Sequence, residues 1–187
     1  MTLRSSAFAA KQQPEKIQPA VESIISGDPT NLVLLSIAST IYSQQGDFTN
    51  ALSAVDRYLK HFPDDATMQV NRSYALIQMG RFDDAVNVLT RVIDTHTNAP
   101  TALINRAIAH LKAGHLDKAQ ADYEDLQRIY PTSHQVAYGL AEIAWRRRDT
   151  NGAIAHYEAY LVNAPTNTAE ARIVGTRLDQ LRGKPAK

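Results

Sequence analysis

Apolar residues recur at intervals of three and four along most of this chain. Leu52, Val55, Tyr58 and Leu59 show the spacing, which places them on one face of an α-helix. Such stretches come in pairs, as in 34–45 and 50–60. Gly46 separates that pair and can take the positive φ that follows a helix end. The acidic residue after it suits the start of the next helix. Pro63 closes the second stretch, because it has no N–H with which to continue the ladder. The pattern therefore predicts helical hairpins. One hairpin cannot bury its own apolar stripe, so the pairs must stack.

The pairs repeat with a fixed period. Gly46, Gly80 and Gly114 are 34 residues apart, and Ala51, Ala85, Ala119 and Ala153 continue that period. Small residues Ser39, Ser73, Ala107 and Ala141 form a further column. Phe48, Phe82 and Leu116 form a bulky one, expected to fill the gap between adjacent units. Pro63, Pro131 and Pro165 fall on the period too, with Thr97 in the remaining slot. Agreement among several columns is the signature of a repeat architecture.

The stretches GDFTNALSAVDRYLKHFP, GRFDDAVNVLTRVI and GHLDKAQADYEDLQRIYP resemble the tetratricopeptide repeat, a 34-residue helix–turn–helix unit. The resemblance covers four units, 32–65, 66–99, 100–133 and 134–167. Before them, residues 14–31 read as an N-terminal half repeat, with Ile17, Val21, Ile24 and Pro29 in second-helix positions. After them, 168–182 reads as a capping helix with Ile173, Val174, Leu178 and Leu181 on one side. Its other side carries Glu170, Arg172, Arg177, Asp179 and Arg182, as a solubilising cap requires. Residues 1–13 lack periodicity and 183–187 read as a tail. The resemblance implies an all-α, right-handed solenoid whose first helices line a concave groove.

Two departures mark the pattern. Arg148 stands in the glycine slot of the fourth unit, so that turn should be less glycine-like, with Asn151 and Gly152 absorbing the bend. Thr97 in a proline slot predicts a looser junction between the second and third units.

Composition narrows the function. The 187 residues contain no cysteine, which excludes disulfides, thiolate nucleophiles and Cys-ligated metals. The formal net charge is +1, so the chain has no global field to hold nucleic acid. No apolar run is long enough to cross a bilayer. The +1 is a cancellation: 1–65 carry −2, 66–133 carry 0 and 134–187 carry +3. Ala7-Phe8-Ala9 has the form of a signal-peptidase site, but no apolar stretch precedes it. The chain as written is cytoplasmic by default. It would be periplasmic or secreted if an upstream signal belonged to it.

Catalytic, cofactor and metal readings find no support. His110 and His115 are five apart, not the four that would set two ligands on one helical face. No Ser–His–Asp set, P-loop or dinucleotide turn occurs. Asp83, Asp84, Asp117 and Asp122 read as solvated helix surface. The expected function is therefore non-enzymatic: a protein or peptide partner held in the groove. The rival is a structural module that self-associates or helps assemble a larger complex, using its acidic and basic ends.

In the groove columns implied by the resemblance, Asn71 and Asn105 are equivalent and one repeat apart. Each amide offers donor and acceptor to the backbone of an extended peptide. An asparagine there equally serves to pack neighbouring helices. Tyr74, Ile108, Tyr138 and Trp145 supply apolar area and Arg146 a cation. The cations that grip a C-terminal carboxylate in chaperone-binding relatives are missing beside the asparagines, which argues against that recognition mode. Trp145-Arg146-Arg147-Arg148 reads chiefly as a cationic helix end, with Arg146 the one arginine expected in the groove.

Overall fold

The computed structural model describes Pro19 and residues 31–183. The expectations for 1–13, for most of 14–31, for Ala7-Phe8-Ala9 and for 184–187 lie outside those residues. Among the described residues are nine helices and no strand. They are α1 (Leu32–Gln45), α2 (Phe48–Leu59), α3 (Ala66–Gln78), α4 (Phe82–Thr95), α5 (Pro100–Ala113), α6 (Leu116–Ile129), α7 (His134–Arg146), α8 (Thr150–Asn163) and α9 (Ala169–Leu181). The first pair begins two residues earlier than the apolar spacing alone suggests. The chain divides into two compact units, one ending at Thr97 and the other beginning at Asn98.

Every hairpin turns in the same way. The turn residue takes a left-handed conformation, with φ of 79° at Gly46, 76° at Gly80 and 84° at Gly114. The next amide donates five residues back, as from Asp47 to the Tyr42 carbonyl at 2.9 Å. The fourth turn departs from the sequence expectation. Arg148 itself takes φ 61°, and Asp149 donates to the Ala144 carbonyl at 2.9 Å in the same closure. Gly152 does not absorb the bend; it sits inside α8, where its amide donates to the Asp149 cap at 3.0 Å. The helix packing on either side dictates the turn, and the arginine accepts a conformation that costs an L-residue about 1 kcal/mol.

The first unit holds two hairpins. Leu35, Ala38 and Tyr42 of α1 pack on Ala51 and Ala54 of α2, and Val55 and Leu59 pack on Met68 of α3. Ser39 and Ser73 are at most 1 % exposed, which identifies them as points of close helix approach. Their hydroxyls donate to the carbonyls of Ser36 (2.8 Å) and Val70 (2.7 Å), so burial leaves neither unsatisfied. Phe48 meets the Tyr74 ring edge-on at 6.0 Å, bridging one hairpin to the next. Asp47, Asp65 and Asn31 cap the helices that follow them.

The second unit holds two hairpins and α9. Ala107 and Leu111 of α5 pack with Ala119, Tyr123 and Leu126 of α6 and with Val136, Leu140 and Ile143 of α7. Ala137, Ala141 and Ala144 form a second core with Ala153, Tyr157 and Tyr160 of α8 and with Val174 and Leu178 of α9. A Cβ on Gly139 would fall inside the Tyr123 ring, so only glycine lets α7 lie against that side chain.

Two charged positions differ from the sequence expectation. Asp122 is not surface: it is 5 % exposed and takes a two-pronged bond from Arg106, Nε to Oδ2 at 2.9 Å and Nη2 to Oδ1 at 2.7 Å. On α9, Val174 and Leu178 are buried, but Ile173 is 52 % exposed. Arg177 turns inward instead, to Glu142 of α7 and to the Tyr157 hydroxyl, at 2.9 Å from the latter. The cap is thus tied to the array by charge as well as by apolar contact.

Candidate functional site

The first helices α5 and α7, which carry the groove candidates of the second unit, are in contact with each other. Asn105 and Ile108 lie one turn apart on α5, both half-buried. Ile108 rests on the Ala107–Leu111 core. Tyr138, Trp145 and Arg146 lie on α7. Tyr138 spends part of its ring on Tyr157 and Tyr160, at 6.4 and 5.6 Å between centroids. Trp145 remains 37 % exposed, although Ile77 and Leu111, its counterparts in earlier repeats, are 3 % and 8 % exposed. Helix periodicity alone does not distinguish these three positions.

In the first unit, α3 carries Asn71 and Tyr74. Asn71 is half-buried, with Nδ2 3.9 Å from the Met68 sulfur. Tyr74 is 41 % exposed, its inner edge resting on Phe48.

Arg146 ties two helices together. Its Nη1 donates to the Leu111 carbonyl at 2.5 Å, tying the end of α7 to the end of α5. Arg147 points elsewhere, pairing with Asp117 and Gln120 of α6. A cluster around Glu142 is not foreseen from the residue pattern. There Tyr157 donates to Oε1 at 2.6 Å, Arg177 pairs with the same carboxylate, and its guanidinium lies 5.8 Å from the Trp145 ring centre. A separation of 35, one repeat plus one, joins both Leu111 to Arg146 and Glu142 to Arg177.

Burial shifts titratable groups in this unit. His110 is 6 % exposed and its Nδ1 is buried without a hydrogen-bond partner. Burial pushes its pKa below the ordinary histidine range, with Asp122 opposing and Arg106, Lys118 and His115 adding to the shift. Its ring lies 5.8 Å from that of His115, yet no group of three or more metal-ligating side chains occurs among the described residues. Burial also raises Tyr157, to about 12. No helix among the described residues is long and apolar enough to cross a membrane.

A family model described as tetratricopeptide repeat matches residues 38–102, 70–134 and 104–168. The chain is a tetratricopeptide repeat protein. No match was found among curated protein sequences. Among solved structures, this tetratricopeptide array is similar to PilW, described as a widely conserved type IV pilus biogenesis factor, at TM-score 0.81 and 17 % identity. The match spans 97 % of this chain and 84 % of that one. A tetratricopeptide repeat protein from Parabacteroides merdae aligns at TM-score 0.79 and 18 % identity, over 93 % and 69 % of the two chains. MamA from Desulfovibrio magneticus RS-1 aligns at 0.70 and 18 %, over 81 % and 84 %. At such identities these structures establish the all-α repeat fold alone.

Proposed function

We propose that this tetratricopeptide array is a non-enzymatic scaffold that holds an extended peptide or partner helix along its first helices. The observation that supports this most is the surface of α5 and α7. Asn105 and Ile108 on α5 are half-exposed, and the adjoining α7 carries Tyr138 and the accessible indole of Trp145, a mix of donor–acceptor and aromatic area suited to a peptide. Asn71 and Tyr74 hold the equivalent positions on α3.

Partner capture from the native host's extract tests this reading. The Asn71→Ala/Asn105→Ala variant should lose its specific partners while keeping the helical content of wild type. If every partner survives the double substitution, the asparagines do not read a peptide.

A second reading, a structural module in assembling a larger complex, draws on the likeness to PilW, a pilus biogenesis factor by its description. Charges of −2 in residues 1–65 and +3 in 134–187 also favour salt-sensitive self-association. Sedimentation at low and high salt separates the two. Association that collapses with salt and ignores the asparagines supports assembly.

A further inference from the structure

The chain's single tryptophan lies where α7 turns into α8. A cleft of about 420 Å3 opens there, walled by Trp145, Arg146, Arg148, Asp149 and Leu181. The charges around it are unevenly committed. Asp149 is occupied in capping α8, and Arg147 turns away to α6. Arg146 spends Nη1 on the Leu111 carbonyl. Arg148 forms no ion pair among the described residues.

Arg148 is also the turn residue with φ 61° where the other three hairpins have glycine. Glycine would build this turn without strain, so turn geometry does not account for an arginine. A side chain held at the cost of backbone strain points to use of that side chain.

We propose that this cleft binds a carboxylate-bearing acidic segment of a partner protein. Arg148 and the remaining N–H groups of Arg146 donate to its carboxylates, and Trp145 and Leu181 supply the apolar wall. The charge at the cleft is complementary, since its wall carries two guanidiniums, Arg146 and Arg148, against the one carboxylate of Asp149. The Asp149 carboxylate in the wall repels a phosphate dianion more than a carboxylate monoanion, which favours the acidic peptide. The proposal deepens the groove reading and rests on it, by naming the charge of the partner at the end of the α7 column.

Trp145 reports occupancy directly, because no other tryptophan contributes to the emission. The full chain is titrated with an octapeptide alternating leucine and glutamate, with its glutamine counterpart, and with inorganic phosphate at matched ionic strength. The glutamate peptide should shift the emission saturably, and the glutamine peptide should bind at least about tenfold more weakly. Arg148→Gly should weaken the glutamate peptide about tenfold while raising the melting temperature by roughly 3 °C, which separates lost binding from lost fold. Arg148→Asn, uncharged but tolerant of the left-handed turn, should weaken binding equally.

Equal binding of both peptides overturns the proposal, as does undiminished binding by the Arg148 variants. A phosphate response equal to the peptide's overturns it in favour of a phosphate site, and an emission that no probe changes overturns it outright. None of these outcomes bears on Asn71 and Asn105, whose capture experiment decides the groove reading separately.

Discussion

Asp122→Leu should lower stability by about 3 kcal/mol in urea denaturation, although the residue stands on a helix otherwise rich in solvated charge. Asp122 is 5 % exposed, and Arg106, which it holds by two bonds, has a side chain only 19 % exposed. Removing the carboxylate leaves a guanidinium with little water to replace it. The loss belongs to a buried guanidinium that gives up two charge-assisted bonds, not to a net attraction, because desolvation offsets most of the attraction within a buried pair. The Arg106→Met/Asp122→Leu double variant should therefore recover most of the loss, with a coupling energy of about 2 kcal/mol in the mutant cycle. If the double variant is less stable than Asp122→Leu, the pair itself stabilises the hairpin and this account of it fails.

The second large effect concerns a missing side chain. Gly139→Ala adds a Cβ where the Tyr123 ring lies, and that ring is 3 % exposed among Ala119, Leu126 and Val136. Overpacking of this kind costs about 3 kcal/mol. Alanine returns about 1 kcal/mol through its better helix propensity. The net should be a loss of about 2 kcal/mol, opposite in sign to the usual result of replacing a helical glycine. In a Tyr123→Leu background the same substitution should become neutral or stabilising. A loss of stability unchanged by Tyr123→Leu would place its cause elsewhere.

Both residues show where sequence reading stopped. Columns such as Gly46/Gly80/Gly114 and Ala51/Ala85/Ala119/Ala153 were legible because one physical demand recurs in every unit: a left-handed turn, or a close helix crossing. Asp122 falls in a column with Ala54 and Val88, both buried, so the repeat did mark the position as inward; a charge read by itself looks solvated until Arg106 is seen to hold it. Gly139 aligns with Asn105 and looks like a lost amide until Tyr123 is seen against it. Arg148 shows the converse, since the turn survives without glycine where α7 and α8 pack closely on either side of it.

The candidate site was legible to a lesser degree. The column assignment picked out Trp145 on α7 and Asn105 on α5, but could not separate an accessible indole from the buried Ile77 and Leu111 of the same column. Leu111 packs into the core with Leu140 and Ile143, whereas Trp145 meets Arg177 of the cap, a residue that reads as surface in the sequence.

The central claim is that the first helices hold the partner. Two-dimensional 15N NMR of the full chain, with and without a captured partner, tests it most directly. The account predicts that the side-chain amides of Asn71 and Asn105 and the indole N–H of Trp145 shift together with backbone signals of α3, α5 and α7. Shifts confined to α2, α4, α6 and α8, with those three side chains unmoved, would contradict it.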